Sequence, residues 1–382
     1  MGFAVQPARR INARMRLSLC ALVCLLISLI AGAADAAAQK PNATETLRGA
    51  AQKSNLLMGT AAGADSLSEP LYSSTLAAQY SQLEPENEMK FGPIHPEPTT
   101  YDYAAADALV AFAQAHAMRV RGHNLVWQEQ LPGWITHRLL PWTPADLNRV
   151  LASHIANVVG HYKGRVYAWD VVNEPFNDDG TMRSTVWYNS PGIGFAGQGT
   201  RTIEQALRWA HAADPAARLF VNEIGAEVLN RKSNAVYAMA KDFVKRGVPL
   251  SGIGLEFHIG PGFDQLDNLD SLNRNVRRLA ALGLEVQFTE VDVRLPNNNA
   301  ANLSVQAQNY KDLLNICLQQ PACTAFQTWG FTDKHSWIPA IDHGHGWALP
   351  FDQNYRKKPA YFAMLKKLNS HSGTRVRLQP SR

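Results

Sequence analysis

The sequence predicts an α/β fold, a single (β/α)8 TIM barrel with its active site at the C-terminal ends of the strands. Eight short, mostly apolar runs alternate with segments of helical periodicity. No Pro/Thr/Ser-rich linker and no internal repeat divides the chain. A doubly wound open sheet is the competing architecture, but such sheets usually carry a G-x-G-x-x-G turn after the first strand. GTAAGADS (59–66) lacks that pattern.

The predicted strands are apolar inside and end in polar or aromatic residues. They cover residues 56–63, 82–90, 118–127, 166–175, 217–225, 250–259, 284–293 and 324–333. Because the loops that follow barrel strands face one shared mouth, side chains at the strand tips should meet there. The tips of most strands carry chemically useful groups: Asn87, Lys90, His123, Trp127, Asn173, Glu174, Asn222, Glu256, His258, Glu290 and Trp329.

Helical periodicity fills the segments between most of these strands. It covers residues 103–117, 143–162, 201–214, 233–247, 269–283 and 304–319. Thr143 and Pro144 start the second of these helices with an N-cap and a proline in the first turn. Strands that alternate with helices predict a parallel sheet covered by helices.

Residues 1–38 are predicted to be a signal peptide. Four arginines precede the apolar run LSLCALVCLLISLIAGA (17–33), and A-x-A patterns place cleavage near residues 36–38. An uncleaved membrane anchor is the alternative, but the run is shorter than the roughly 20 apolar residues of a spanning helix. We therefore expect a secreted or periplasmic protein, without membrane association after cleavage, whose residues 39–382 form one domain with a short basic C-terminal tail.

The charge balance argues against nucleic acid as a partner. Without residues 1–38, the chain has 33 basic and 31 acidic side chains, and no Lys/Arg stripe runs through it apart from the C-terminal tail. Cys317 and Cys323 also remain, and in an exported protein a pair that closes so short a loop predicts a disulfide. Metal binding by two isolated thiols is the alternative.

Glu174 and Glu290 predict glycoside hydrolysis, because each follows an apolar strand and both would face the same mouth. Cleavage of a sugar acetal needs one acid that protonates the leaving oxygen and one carboxylate that meets the anomeric carbon. Indole rings stack on sugar faces, while amides and ammonium groups bind hydroxyls. The alternative for each glutamate is an ordinary salt bridge.

The chain resembles the glycoside hydrolase family 10 endo-β-1,4-xylanases from about Leu56 to Leu368. Eight motifs in the family's order carry the resemblance. They are PENEMK (85–90), RGHNLVW (121–127) with QLPGW (130–134), WDVVNEPFNDDG (169–180), GIGLEFH (252–258), FTEVDVR (288–294), CLQQPAC (317–323), WGFTDKHSW (329–337) and LPFDQNYRKKPAYF (349–362).

The resemblance implies a cofactor-free and metal-free catalytic domain that cleaves xylan or xylo-oligosaccharides by a retaining double displacement; we expect a monomer. Glu174 would be the proton donor and later the general base, and Glu290 the nucleophile. Asn173 would bind the sugar 2-hydroxyl. The full set of expected substrate-binding residues is Glu86, Asn87, Lys90, His123, Trp127, Gln130, Asn173, Asn222, Glu256, His258, Trp329 and Trp337.

The sequence departs from the family pattern at the mouth. Glu256 stands where the family usually has Gln, and we hypothesise that it is protonated at working pH and donates a hydrogen bond as Gln would. Gln128 and Glu129 replace His-Ser, and NEIG (222–225) replaces NDYN. These changes leave the reaction intact but widen the possible substrates to decorated xylan, short xylo-oligosaccharides or a related β-1,4-glucan. One alternative is therefore a β-1,4-glucanase on the same barrel, and another is a non-catalytic polysaccharide-binding protein.

Overall fold

The structure, a computed structural model, describes residues 1–2, 45–137, 139–260 and 269–371. Residues 3–38 of the predicted signal peptide and the predicted basic tail beyond residue 371 lie outside the described residues. All elements given below belong to one compact unit that begins at Glu45. Among the described helices, none has the length and apolar character needed to cross a membrane.

The described strands form the predicted closed parallel barrel. They are β1 (Leu57–Ala62), β2 (Gln82–Pro85), β3 (Arg119–Val126), β4 (Ala168–Asn173), β5 (Arg218–Glu223), β6 (Gly252–Leu255), β7 (His258–Ile259), β8 (Glu285–Val293) and β9 (Cys323–Thr328). The sheet order is β6-β5-β4-β3-β2-β1-β9-β8-β7, and an additional β6–β8 pairing closes the ring. β6 and β7 both pair with β8 and together occupy one strand position, so the nine described strands form a barrel with eight positions.

Three strands differ clearly from their predicted extents. β9 ends at Thr328 rather than at residue 333, and the other two differ because of local backbone chemistry. β2 ends at Pro85 rather than at residue 90, since proline has no N–H to donate to a neighbouring strand. The predicted strand 250–259 is interrupted between β6 and β7, where Phe257 takes a left-handed conformation with φ of 63°. Both interruptions lie at the mouth, where side chains must leave the regular pleat.

The described helices surround the barrel, and the six predicted ones are confirmed. In chain order they are α1 (Leu47–Lys53), α2 (Pro70–Gln79), α3 (Phe91–Ile94), α4 (Ala104–Ala115), α5 (Gly133–Thr136), α6 (Pro144–His161), α7 (Arg201–Ala213), α8 (Arg231–Arg246), α9 (Leu269–Ala280), α10 (Ala300–Gln319), α11 (Ile338–Ile341) and α12 (Pro359–Ser370). The predicted N-cap of α6 is also confirmed, because the Thr143 side chain accepts from the Asp146 N–H. The sequence did not predict the other six described helices, α1, α2, α3, α5, α11 and α12. In α2, a Ser- and Thr-rich surface weakens the apolar period.

The barrel interior is polar near its centre, so the expectation of apolar strand interiors was wrong. Fully buried Arg121 on β3 donates from Nε to Asp170 on β4 at 3.0 Å and from Nη1 to Gln287 on β8 at 2.7 Å. Gln327 on β9 donates to Glu84 on β2 and to the Thr289 carbonyl. Each inward-facing polar group therefore has a partner on another strand, which makes its burial tolerable.

The predicted disulfide is confirmed. Cys317, near the end of α10, is bonded to Cys323, the first residue of β9, with a Cα–Cα distance of 5.2 Å. Both residues are fully buried. The bond closes the short turn that returns the chain from the outer helix to the barrel.

Candidate active site

Glu290 lies on β8 with 4% of its surface exposed, and side chains from three other strands surround its carboxylate, two of them within hydrogen-bonding distance. Asn222, on β5, donates from Nδ2 to Glu290 Oε1 at 2.7 Å. His258, on β7, places Nε2 3.1 Å from Glu290 Oε2. His123, on β3, places Nδ1 3.9 Å from Oε1. The carboxylate is thus held where it can accept several hydrogen bonds while remaining open to the mouth.

These donors keep Glu290 ionised. Burial alone would raise the pKa of Glu290, but the His258 hydrogen bond and the charge of His123 outweigh it and hold the pKa below its usual value. Burial alone would lower the pKa of His258. Two carboxylates, Asp292 at 2.8 Å from Nδ1 and Glu290, outweigh burial and raise this pKa to about 10. His258 is therefore an imidazolium at neutral pH, and both of its ring nitrogens donate.

Glu174 follows β4 in a left-handed conformation, with φ of 50°. Its N–H donates to the Asn222 carbonyl at 2.9 Å, and Gln128 Nε2 donates to its Oε2 at 3.4 Å. Burial first, and then the negative charge of Glu290, raise the pKa of Glu174 above its usual value. The two carboxyl groups thus have pKa values shifted in opposite directions, as an acid and a nucleophile require.

Asn222 joins the strand tips to one another. Its Nδ2 lies within hydrogen-bonding distance of Asn173 Oδ1 at 2.8 Å, Glu256 Oε1 at 3.0 Å and Glu290 Oε1 at 2.7 Å. Thr289 donates to its Oδ1 at 2.7 Å, which fixes the orientation of the amide. One side chain on β5 therefore connects β4, the end of β6 and β8.

Glu256 lies inside this cluster, with 1% of its surface exposed. Besides the Asn222 contact, its Oε2 is 3.8 Å from His258 Nε2. Burial, and then the charges of Glu290 and Glu174, raise the pKa of Glu256 well above its usual value. This environment favours the protonated form that is hypothesised for Glu256.

The remaining predicted residues line one side of the mouth. Lys90, 5% exposed, donates to Asn87 Oδ1 at 3.1 Å and lies 5.0 Å from the Trp127 ring and 5.6 Å from the Trp329 ring. Gln130 also donates to Asn87, at 3.2 Å. The tips of β2, β3 and β9 thus form one cluster of aromatic and amide groups.

Trp329 and Trp337 extend this cluster towards Glu290. The Trp329 ring lies 5.1 Å from the His123 ring, and the Trp337 ring lies 4.8 Å from the His258 ring. Trp337 Nε1 donates to Asp292 at 2.8 Å. Glu86 follows β2, and burial raises its pKa to about 7. The structure therefore places the predicted residues together around the barrel mouth.

Several residues of the site were not predicted from the sequence. Below the mouth, His123 Nδ1 lies 3.1 Å from Asp170 and 3.2 Å from Glu84. Polar residues at every second position, as in Gln82/Glu84, Arg121/His123 and Glu290/Asp292, indicate inward-facing side chains in a barrel strand. Asp292 could have been found by this spacing, whereas Arg183, in a long loop, has no such pattern.

Two groups of the described residues have the composition of a metal site. Glu84, His123 and Asp170 form one, and Glu256, His258 and Glu290 form the other, with possible ligand atoms within 4.8 Å of one another. In both groups the side chains already bind protein partners, including Arg121, Gln327 and Asn222. Both groups therefore have partners within the protein.

Comparison with known proteins decides the family. Residues 46–367 match the family model described as glycosyl hydrolase family 10. The chain belongs to this family. Within it, the chain is 42% identical over 324 residues to endo-1,4-beta-xylanase B of Thermotoga neapolitana, covering 83% of this chain and 90% of that one.

Two further family 10 relatives have a similar extent. Endo-1,4-beta-xylanase C of Phanerodontia chrysosporium is 37% identical over 326 residues, covering 83% of this chain and 76% of the relative. The crystal structure of xylanase 10B from Thermotoga petrophila RKU-1 in complex with xylobiose superposes with a TM-score of 0.79 at 44% identity. That match covers 85% of this chain and 97% of the other.

Proposed function

We propose that this family 10 chain is an endo-β-1,4-xylanase that cleaves xylan by a retaining double displacement, with Glu174 as acid/base and Glu290 as nucleophile. The observation that carries the proposal is the opposite direction of the two pKa shifts across one mouth. The xylanase names of the relatives and the xylobiose complex of the Thermotoga petrophila structure support the substrate.

In the first step, Glu174 gives its proton to the glycosidic oxygen while Glu290 attacks the anomeric carbon from the opposite face. The C–O bond to the leaving sugar breaks with its electron pair, and a glycosyl ester forms on Glu290. Asn222 and His258 hold the Glu290 carboxylate in line. Asn173 is held through its own carboxamide oxygen by Asn222, and its NH2 group, which lies 3.5 Å from Glu174 Oε1, has a second hydrogen for the 2-hydroxyl of the sugar.

In the second step, Glu174, now ionised, takes a proton from water as the water oxygen attacks the anomeric carbon. The ester bond breaks, Glu290 regains its negative charge, and the product keeps the original anomeric configuration. Each step inverts the carbon once, so the configuration is retained overall. This route predicts carboxyl groups roughly 5 to 5.5 Å apart.

The aromatic and amide cluster around Lys90 would bind the non-reducing side of the substrate. Trp127 and Trp329 offer ring faces, and Lys90, Asn87 and Gln130 offer polar groups for sugar hydroxyls. Trp337 and Glu86 would extend the same surface. The place of these residues at the mouth supports this proposed role in substrate binding.

We also propose that the protein is exported and then acts as a monomeric, single catalytic domain over residues 39–382. The basic and apolar pattern of residues 1–38 and the Cys317–Cys323 disulfide both support an oxidising compartment outside the cytosol. N-terminal sequencing of the secreted protein would show whether cleavage occurs near residues 36–38. Sedimentation would test the monomer.

Initial rates of reducing-end release on linear xylan, cellulose and mixed-linkage β-glucan test the substrate. The proposal expects xylan to be the preferred polymer and Glu290→Ala to abolish release. A higher rate on either glucan would favour the β-1,4-glucanase alternative. Release by Glu290→Ala equal to that of the wild type would favour a non-catalytic, polysaccharide-binding protein with a contaminating activity. Arg208→Met, on the outer helix α7, is a matched control.

A further inference from the structure

We propose that Arg183 is a positioning residue for Glu174, which it holds in the reactive place by binding the backbone of residues 174–176. Arg183 lies in the loop between β4 and α7, with 30% of its side chain exposed. This inference rests on the proposed acid/base role of Glu174. Arg183 lies outside the strands, and the reaction of the two carboxyl groups does not itself require it.

Arg183 contacts three consecutive carbonyl groups. Its Nε donates to the Glu174 carbonyl at 3.0 Å, and its Nη2 donates to the Phe176 carbonyl at 3.3 Å. Its own backbone N–H donates to the Pro175 carbonyl at 2.8 Å. The planar guanidinium, with its fixed directions, is suited to bridge two carbonyls at once. A lysine could reach one of them but could not bridge both in this way.

Glu174 needs such support because its backbone is in a conformation that side chains disfavour. A φ of 50° lies in the left-handed region, which a residue other than glycine occupies only when its surroundings impose it. On the other side of the turn, the Glu174 N–H donates to the Asn222 carbonyl at 2.9 Å, and the Phe176 N–H donates to Glu223 Oε2 at 3.0 Å. Together with Arg183, these partners satisfy every backbone donor and acceptor of residues 174–176.

Arg183 also lies close to the Glu174 carboxyl group, with Nη2 3.9 Å from Oε2. Four carboxyl groups also interact electrostatically with Glu174. They are Glu290 on β8, Glu129 after β3, Glu223 on β5 and Glu256 after β6. Burial and Glu290 raise the pKa of Glu174, whereas the positive charge of Arg183 lowers it. Loss of this charge should therefore raise the pKa of Glu174 further.

Two aryl β-xylobiosides distinguish a misplaced proton donor from a loss of activity that affects every substrate equally. A phenyl leaving group needs protonation by Glu174, whereas a 2,4-dinitrophenyl leaving group departs without it. The value of kcat/KM reports the steps through formation of the glycosyl ester. For Arg183→Met, we expect kcat/KM to fall about 100-fold on the phenyl substrate, as for a misplaced catalytic group. On the dinitrophenyl substrate, the loss should stay within about 3-fold, because acid catalysis is not needed there.

The pH profile gives a second readout that a merely structural role would not move. In Arg183→Met, the basic limb of kcat/KM on the phenyl substrate should shift to higher pH, because Glu174 holds its proton longer. Arg183→Lys keeps the charge but loses the bridge between carbonyls. Its basic limb should therefore stay near that of the wild type, while its selective loss on the phenyl substrate remains.

Folding is checked by thermal unfolding, with Arg208→Met as the surface control. If Arg183→Met does not fold, the ratio of the two substrates in Arg183→Lys decides. Equal losses on both substrates in a folded variant, or no loss on either, would overturn the inference. Glu174→Ala must itself lose far more activity on the phenyl than on the dinitrophenyl substrate. If it does not, the proposed role of Glu174 fails, whatever Arg183 does.

Discussion

Replacing Glu256 with Gln should make the protein more stable at alkaline pH, relative to the wild type, than at acidic pH. Gln has nearly the same size and can accept the same hydrogen bond from Asn222 Nδ2, so packing is kept. What the substitution removes is a carboxyl group with 1% exposure beside Glu290. The folded-state pKa of Glu256 is raised well above its usual value, so the native protein binds a proton that the unfolded chain releases.

The magnitude follows from the geometry. A Glu256 oxygen and a Glu290 oxygen lie within 4.8 Å of each other. Two unit charges at that distance repel by about 3.5 kcal/mol at an effective dielectric constant of 20, and this repulsion raises the pKa of Glu256. Stability from this group is fully present below the unfolded pKa of 4.5 and decreases by about 1.4 kcal/mol per pH unit until the folded pKa is passed.

Thermal unfolding of both proteins at pH 5 and pH 8 measures this effect. The free-energy advantage of Glu256→Gln should grow over that interval by up to about 3.5 kcal/mol, the full repulsion between the two charges, which for a domain of this size is up to about 5 °C in Tm. The xylan-hydrolysis pH profile should also change, since no further negative charge can form beside Glu290 and Glu174. A Tm difference that is equal at the two pH values, with coincident activity profiles, would refute the assigned protonation of Glu256.

Three further predictions concern the charge on Glu290, the stereochemistry and the disulfide. His258→Gln removes a cation that lowers the pKa of Glu290, so the acidic limb of kcat/KM should move to higher pH; an unmoved limb would contradict the role of His258. Proton NMR at early times of xylohexaose hydrolysis should detect the β-anomer before mutarotation, and the α-anomer appearing first would exclude retention. Replacing both Cys317 and Cys323 with Ser should lower the free energy of unfolding by about 2 kcal/mol, as expected for so short a loop. The value of kcat should not change. Denaturant unfolding measures the first effect, and xylan assays measure the second.

The sequence predicted the barrel well because its pattern is repeated and local. The apolar run before Glu174 obeys the rule that strand interiors pack and strand tips face the mouth, whereas β8 continues beyond Glu290 to Val293. The same rule failed for the barrel interior. Buried polar residues such as Arg121 and Gln287 are tolerated only because they pair across strands, and such pairing depends on the closed geometry.

The site was predicted less completely where it depends on loops and on charge. Arg183 reaches the backbone of Glu174 through a turn that has no helical or strand period, so nothing in its spacing indicates the contact. The direction of the Glu256 pKa shift could be hypothesised from a third carboxyl group near Glu290. The cause of this pKa shift can be identified only from the structure, which shows which groups are buried together around Asn222.

Covalent trapping of Glu290 tests the central claim most directly. A 2-deoxy-2-fluoro-β-xylobioside with a dinitrophenyl leaving group should form the glycosyl ester and then hydrolyse slowly, because fluorine disfavours the positive charge that develops in both steps. Mass spectrometry of the intact protein should show one added fluoroxylobiosyl group, and peptide mapping should place it on Glu290. A label on another residue, or a fully active enzyme that takes up no label while it turns over xylan, would contradict the double displacement proposed for Glu174 and Glu290.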